Sequence, residues 1–299
     1  MINIDAYNQE TIFHLPGLFR FAEVYKQILS SYKTNPGYFK DNIKIGSIYG
    51  CPNGIWNGGR LILIPFWSKT ELVKLKDYMY TYNIPARFTF TNCLLEEKHM
   101  YDTYCNMILE VFDTGTNEVI CNKQILEDYI RKNYGNRYKY ISSTTKRLNT
   151  TEEQKEELKK DYYLIVLDYD HNKDLEYLQS IKNKEKCELL CNAICQSHCK
   201  RRLEHYKIIS QCQLENDNCY MDNLDCSFVK NDCLFTAMKQ ENFISPEDIN
   251  NIYLPMGFKN FKLEGRTMHP FDFIEVLLYY LIKEEHKPEI RRLLQRIVW

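Results

Sequence analysis

Cysteine is the residue type whose number and spacing in this sequence point most clearly to chemistry. The chain has 12 cysteines in 299 residues, and eight of them fall between Cys187 and Cys233. Thiolates arranged tetrahedrally bind either zinc or an iron-sulfur cluster. The first ten residues have neither the basic nor the apolar segment of an export signal, so we expect a cytoplasmic protein with reduced thiols.

Cys195 and Cys199 are the best candidates for a pair of metal ligands, because they follow a predicted strand in the segment CQSHCKRR. The other two ligands would come from the polar segment beyond them. The candidates there are Cys212, Cys219, Cys226 and Cys233, of which we predict the last two. Neither the C-x2-C pairs of zinc ribbons nor a ferredoxin run is present. The spacing therefore leaves zinc, a 4Fe-4S cluster and metal-free packing open.

Polar side chains stand directly after most of the predicted strands. Parallel strands of an α/β fold end at one face, where ligands bind, so we expect these side chains to share a pocket. The residues concerned are Asn92, Asn122, Asp168, Asn192, Glu264 and Arg266. The alternative for each asparagine is a side chain that only closes a turn.

Glu264 and Arg266 are the candidates for catalysis in this pocket, together with Asp168. Arg266 could clamp an anion or a carboxylate, and Glu264 could orient it or transfer a proton. The alternative is a buried ion pair that closes the fold and does no chemistry. The predicted substrate-binding residues are Asn92, Asn122, Asn192, His205 and Arg60, the last in the glycine-rich segment PNGIWNGGR.

A parallel barrel is the fold that would bring these strand ends together. Seven short apolar or aromatic segments alternate with helix-like segments at the spacing of successive βα units. The predicted strands are 43–49, 86–90, 118–121, 138–142, 163–168, 187–191 and 260–264. Since there is room for one more strand, we predict an α/β fold of the (β/α)8-barrel type, irregular or incomplete. A Rossmann-like open sheet is the alternative.

Two segments do not follow this alternation. Residues 1–42 are rich in aromatic residues and include an amphipathic stretch. We therefore predict an N-terminal helical extension over 1–42 that covers one end of a barrel spanning 43–299. Residues 205–243 are polar and show no clear period, so we predict a cysteine-rich insertion held by packing or by metal.

Composition and charge narrow the classes of partner. With 39 Lys and Arg against 40 Asp and Glu, the net charge of −1 gives no strong overall attraction to nucleic acid or to an anionic membrane. No apolar run approaches the ~18 residues of a membrane span. We expect a small-molecule or RNA substrate, and the 23 tyrosines and 15 phenylalanines leave a protein partner or a homo-oligomer open. The basic residues that could face RNA are Lys200, Arg201, Arg202, Arg291, Arg292 and Arg296.

The chain also resembles a known family. The segment Phe261-Lys262-Leu263-Glu264-Gly265-Arg266 resembles the FKIEGR signature of the collagenase-like peptidase family of unassigned catalytic type. The segment LLCNAICQSHCKRRLEHY is similar to one in the small single-barrel, iron-sulfur members of that family. Its matching residues are Asn192, Cys195, Cys199, Arg201, His205 and Tyr206. With ARFTFTN and NRYKYISSTT, the resemblance extends over most of the chain.

The resemblance implies a barrel that carries a 4Fe-4S cluster on cysteines. Members of the family assist the oxygen-independent hydroxylation of RNA bases or of quinone precursors. The resemblance therefore favours a redox enzyme, or an accessory factor, that acts on an RNA base or a small aromatic molecule. Two other functions stay open: a zinc-stapled or metal-free binding or scaffold protein, and a peptidase, as in the family's name. No HExxH helix supports a catalytic zinc.

Overall fold

Eight parallel strands close into a barrel in the computed structural model, which describes residues 9–59, 65–217, 226 and 232–298. Each strand pairs with the next along the chain, and the eighth pairs with the first. The strands are β1 (Thr11–Pro16), β2 (Ile43–Gly50), β3 (Ala86–Phe90), β4 (Glu118–Cys121), β5 (Lys139–Ser142), β6 (Leu164–Val166), β7 (Cys187–Leu190) and β8 (Asn260–Lys262). The predicted (β/α)8 barrel is confirmed, and all seven predicted strands are present with shifts of one or two residues at their ends.

Helices follow the strands and pack around the barrel. They are α1 (Ala22–Thr34), α2 (Lys69–Thr81), α3 (Thr103–Val111), α4 (Gln124–Tyr134), α5 (Thr151–Glu157), α6 (Leu175–Ser180), α7 (Arg202–Glu215), α8 (Leu234–Met238), α9 (Pro246–Asp248), α10 (Leu254–Met256), α11 (Pro270–Leu281) and α12 (Lys287–Val298). A π-helical turn, Ile249–Tyr253, joins α9 to α10. Capping boxes on Ser68 and Thr150 fix the starts of α2 and α5. None of the helices within the described residues has the length and apolar character to cross a membrane.

The N-terminal segment is not the helical extension predicted for residues 1–42. Thr11–Pro16 forms β1, which closes the barrel between β2 and β8. The amphipathic stretch does form a helix, α1, which is the first crossover helix of the barrel. The strand gave a weak signal because polar His14 stands in its middle and Pro16 ends it, which breaks the apolar pattern typical of strands.

Part of the insertion predicted over 205–243 also belongs to the barrel. Helix α7 follows β7 and continues to Glu215, so the predicted boundary at 205 falls inside a helix. The buried face of α7 includes Arg202, Ser210 and Gln213, and these polar side chains interrupt the apolar stripe that normally identifies a helix. Residues 218–225 and 227–231 lie outside the described residues.

The interior of the barrel is apolar on one side and charged on the other. Ile120, Ile141, Leu164 and Val166, from the neighbouring strands β4 to β6, form a small apolar cluster. Buried polar side chains occupy other interior positions: His14, Ser47, Arg87, Glu118, Glu188, Asn260 and Lys262. Such barrels usually fill their interior with branched apolar residues, so the charged half is a departure from the common pattern.

Candidate functional site

A small cavity, here named the mouth cavity, opens among the C-terminal ends of the strands. Its volume is about 60 Å³. Its polar lining consists of Tyr49, Thr89, Thr91, Ser143, Thr144, Thr145, Tyr169, Tyr206, Lys262, Glu264, Arg266 and Thr267, and Gly59, Ile120 and Leu190 complete it. A small concave site lined by hydroxyl groups, two basic side chains and one carboxylate suits a small polar ligand.

Arg266 occupies the rim of the mouth cavity. Its Nη1 donates to Thr89 Oγ1 at 2.9 Å, and its guanidinium lies 5.7 Å from the centre of the Tyr49 ring. The glycine-rich loop makes room for it, because a Cβ on Gly59 would lie 3.1 Å from Arg266 Nη2. The described part of that loop therefore lies at the same rim.

Lys262 forms the floor of the mouth cavity on the β8 side. Its Nζ lies 4.3 Å from the centre of the Tyr49 ring and 3.6 Å from Glu188 Oε1. Burial lowers the pKa of Lys262 to about 8, although the charge of Glu188 opposes the change. A buried lysine of this kind has a neutral, nucleophilic amine available close to neutral pH.

A hydrogen-bonded charge network lies beneath Lys262. Arg87 donates to Glu118 Oε2 and to Glu188 Oε2, each at 2.5 Å, and its Nη2 donates to His14 Nδ1 at 2.8 Å. An arginine only donates, so His14 carries its proton on Nε2, which faces Asn260 Oδ1 at 3.2 Å. Burial and the charge of Arg87 lower the pKa of His14 to about 3, so the ring is neutral. Burial opposes the ionisation of Glu188, but the charge of Arg87 outweighs it and lowers that pKa to about 2.

Glu264 links the end of β8 to the segment that follows β7. Its backbone N donates to Asn192 Oδ1 at 2.6 Å, and Asn192 Nδ2 donates back to Glu264 O at 2.9 Å. The Glu264 carboxylate accepts from Ile194 N at 3.2 Å. Asn192 therefore joins the segments that follow β7 and β8, and the Glu264 carboxylate fixes the backbone that leads to Cys195.

Cys195 and Cys199 lie together at this end of the barrel. Their thiols are hydrogen-bonded to each other, and Cys195 is 7% exposed. Burial and the adjacent Cys195 thiol raise the pKa of Cys199. Cys195 packs in one cluster with Tyr169 and Leu190, both of which line the mouth cavity. The thiol pair therefore adjoins the mouth cavity and lies at the same end of the barrel as Glu264.

Asp168 is engaged in ion pairs and does not line the mouth cavity. Its carboxylate accepts from Arg147 Nη1 at 2.8 Å and from Arg202 Nη1 at 3.3 Å. Burial nevertheless raises its pKa. Arg202 is 1% exposed, so it cannot belong to the basic surface predicted for RNA.

Asp170, which the sequence interpretation did not single out, holds the turn that carries Cys199. It accepts from Arg202 Nη2 at 2.7 Å and from His198 N at 3.0 Å. Arg202 Nη2 also donates to Gln196 O at 2.9 Å. The turn between the two cysteines is thus fixed from both sides by one buried ion pair.

The structure leaves the predicted third and fourth ligands unassembled. Cys233 Sγ lies 3.4 Å from Thr236 Oγ1, Cys226 is partly exposed, and Cys212 is buried on α7. Cys219 lies outside the described residues. Within the described ranges, no group of three or more His, Cys, Asp or Glu side chains is arranged to hold a metal ion.

The remaining predicted substrate-binding residues that the structure describes do not line the mouth cavity but lie next to residues that do. Asn92 Nδ2 donates to Ile55 O at 2.8 Å and to Ser210 O at 3.0 Å, which ties the glycine-rich loop to α7. Asn122 Nδ2 donates to Thr145 Oγ1, a lining hydroxyl, at 3.0 Å. His205 is buried on α7, next to lining residue Tyr206. Arg60 lies outside the described residues.

Sequence reasoning missed Lys262 and Thr89 as lining residues, because both lie within the predicted strands 260–264 and 86–90, whereas the pocket was predicted from the residues at the strand ends. The alternation of polar and apolar residues along a strand could have identified them. In ARFTF, Arg87 and Thr89 stand at every second position between apolar residues, which marks the face that points into the barrel.

The solved structure of the U32 peptidase Mk0906 has a similar fold. The two structures align with a TM-score of 0.51 over 86% of this chain and 93% of that chain, at 11% sequence identity. The sequence matches no protein-family model and no curated protein. The protein is thus a closed (β/α)8 barrel with a polar pocket at the C-terminal ends of its strands. At 11% identity, the likeness to the U32 peptidase shows the fold alone.

Proposed function

We propose that this protein is an enzyme that binds a small anionic molecule in the mouth cavity and modifies it by redox chemistry, with an iron-sulfur cluster held in part by Cys195 and Cys199. One observation carries the proposal. The thiol pair adjoins the mouth cavity, and Ile194 links its segment to the Glu264 carboxylate at 3.2 Å. Redox cofactor ligands and substrate-binding groups would then serve one site.

The mouth cavity supports a small substrate over a nucleic acid base within a folded RNA. Its volume of about 60 Å³ suits a molecule of few heavy atoms. Arg266 supplies a permanent positive charge, Lys262 supplies a basic amine, and the hydroxyl groups of Thr89 and Thr91 supply hydrogen bonds. A small carboxylate or another oxyanion matches this lining.

Cys195 and Cys199 fit two positions of a thiolate site, because their thiols are hydrogen-bonded to each other. The other two ligands would be Cys226 and Cys233, and zinc is the alternative occupant. When bound, an iron-sulfur cluster supplies single electrons at a potential set by nearby charge and hydrogen bonds. The chain's own groups would orient the anion through Arg266 and hold the cysteine segment through Glu264.

Metal analysis tests the proposal. After purification without oxygen, the wild-type protein should contain iron and acid-labile sulfide, with an absorbance spectrum typical of a cluster. Cys195→Ser and Cys199→Ser should each lose most of both. Cys121→Ala, which removes a buried thiol from β4, should retain them.

Two results would contradict the proposal in different ways. Full iron and sulfide in both serine variants would show that these thiols are not ligands. If the wild-type protein contained zinc instead of iron, and both serine variants lost that zinc, the result would favour the alternative of a zinc-stapled binding protein.

A peptidase is the second candidate, because the structural neighbour is described as one. Glu264 is the lining carboxylate that could activate water at the mouth cavity. Cleavage of peptides by the wild-type protein that disappears in Glu264→Gln would support this function. Cleavage that persists in that variant would point to a contaminating protease.

A further inference from the structure

We propose that Lys262 is a nucleophilic amine that condenses with the carbonyl group of a small oxo acid in the mouth cavity, while Arg266 binds the carboxylate of that acid. The inference rests on the proposed function, because it uses the same cavity and the same anionic class of substrate. The inference adds the formation of a covalent bond by Lys262, and this step does not depend on a bound metal.

The geometry places an amine and a guanidinium around one small space. Lys262 and Arg266 both line the mouth cavity, from β8 and from the turn that follows it, and both lie against the Tyr49 ring, at 4.3 Å and 5.7 Å. The Tyr49 hydroxyl donates to Leu263 O, so the ring is held in place between them. An oxo acid carries its carbonyl carbon next to its carboxylate, which matches an amine and a guanidinium on one wall.

A buried hydroxyl group in the same wall indicates that the cavity receives a polar ligand. Thr91 is 3% exposed, and its Oγ1 has no hydrogen-bond partner among the described residues. Burying a hydroxyl without a partner is unfavourable, and a bound oxyanion would supply the missing acceptor. The hydroxyl of Thr144, also in the lining, is unpaired in the same way.

Glu188 lies beside the amine without blocking it. Its Oε1 lies 3.6 Å from Lys262 Nζ, close enough for electrostatic attraction and too far for a strong hydrogen bond. Oε2 of the same carboxylate is bound to Arg87 at 2.5 Å. Since burial brings the pKa of Lys262 to about 8, a fraction of the amine is neutral at pH 7 and about half of it at pH 8. The fixed carboxylate then faces the positive iminium that condensation creates.

The condensation is balanced without a further reactant. The neutral Nζ attacks the carbonyl carbon, and a carbon–nitrogen bond forms. One proton from Nζ and the proton that Lys262 released when it became neutral pass to the carbonyl oxygen, which leaves as water, and the carbon–nitrogen bond becomes a protonated imine. No electrons are exchanged, so the step needs neither an oxidant nor the iron-sulfur cluster. The Lys262 nitrogen beside Glu188 thus carries one positive charge in the resting ammonium and one in the imine.

Reductive trapping tests the inference. The full-length protein would be incubated with glyoxylate and sodium cyanoborohydride near pH 8, and each modified lysine would be located by peptide mass spectrometry. Lys262 should be modified much faster than Lys259, an exposed lysine just before β8. Arg266→Gln should lower the rate at Lys262 about tenfold, and acetaldehyde, which lacks a carboxylate, should show no preference for Lys262.

The matched variants are Lys262→Arg, which keeps the charge beside Glu188, and Lys259→Arg. The first should abolish the specific adduct and the second should not. Modification of lysines in proportion to their exposure would overturn the inference. A calorimetric result in which glyoxylate binds without modifying Lys262 would also overturn it. In that case the small-anion part of the proposed function would stand. If glyoxylate neither bound nor modified Lys262, both the inference and that part of the proposed function would be contradicted.

Discussion

Charged side chains inside short strands carry most of the unusual chemistry of this protein at the scale of single residues. Arg87, Glu188 and Lys262 each stand between apolar neighbours in a strand, and each points into the barrel. Their ion pairs fix the protonation states of the groups around them. His14 is the clearest case, because its Nδ1 faces the guanidinium of Arg87 at 2.8 Å.

His14 should make the protein sensitive to mild acid. Burial and Arg87 lower the pKa of His14 to about 3, against an ordinary value of 6.5. Between these values the unfolded chain binds a proton that the folded chain excludes, so the free energy of unfolding falls as the pH falls. The loss from pH 6.5 to 4.5 should be on the order of 2–3 kcal/mol.

His14→Gln keeps an acceptor for Arg87 and removes this titration. Urea unfolding of both proteins between pH 6.5 and 4.5 should give a flatter dependence for the variant. Glu188, with a pKa of about 2 when folded and 4.5 ordinarily, contributes mainly at and below the lower end of this window and is present in both proteins, so the difference between them reports on His14. Parallel curves for the two proteins would show that His14 is protonated in the fold.

Loops rather than strands give the mouth cavity its shape at the scale of elements. The glycine-rich loop reaches the strand end at Thr91 and Asn92 so closely that a Cβ on Gly58 would lie 2.6 Å from Asn92 N and 2.7 Å from Thr91 O. Asn92 N in turn donates to Trp56 O at 3.1 Å. The loop therefore has one position against β3, and that position leaves space for Arg266.

Gly58→Ala should destabilise the protein by ~2 kcal/mol or more, because backbone atoms, not flexible side chains, oppose the new methyl group. Gly37→Ala is the matched control, since a Cβ there has nothing within 4 Å. Thermal unfolding of both variants checks the prediction. Equal melting temperatures for the two would mean that the loop can move away from β3 at little cost.

The elements predictable from sequence are those whose pattern depends on apolar burial. Seven strands follow from their apolar or aromatic character, and Glu264 and Arg266 follow from their place after β8. β1 was missed because His14 and Pro16 interrupt its pattern, and α7 because polar side chains face the core. Lys262 was missed because its position depends on which strand face turns inward, which neighbouring strands decide.

A buried charge network spans the barrel at the scale of the whole molecule. Arg87 on β3 binds Glu118 on β4 and, across the interior, Glu188 on β7. Removal of the one arginine would leave the buried Glu118 carboxylate without its ion-pair partner and Glu188 with Lys262 at 3.6 Å. The network therefore joins the barrel wall to the floor of the mouth cavity.

Arg87→Met should reduce the free energy of unfolding by about 3–5 kcal/mol. Arg137→Met removes an arginine that pairs with Asp113 on the surface, with 52% of its side chain exposed, and should cost less than about 1 kcal/mol. Urea denaturation measures both. A small, equal effect of the two substitutions would mean that water or the carboxylates' protonation compensates for the lost charge inside the barrel.

The central claim is that a redox centre on Cys195 and Cys199 adjoins a substrate cavity at one end of the barrel. Its most direct test is the reduction potential of the protein purified without oxygen, titrated and followed by electron paramagnetic resonance. Arg266→Gln should make the potential more negative, because it removes a positive charge near the centre, whereas Arg137→Gln, before β5 at the other end, should leave it unchanged. No cluster signal, or a potential insensitive to Arg266→Gln, would contradict the claim.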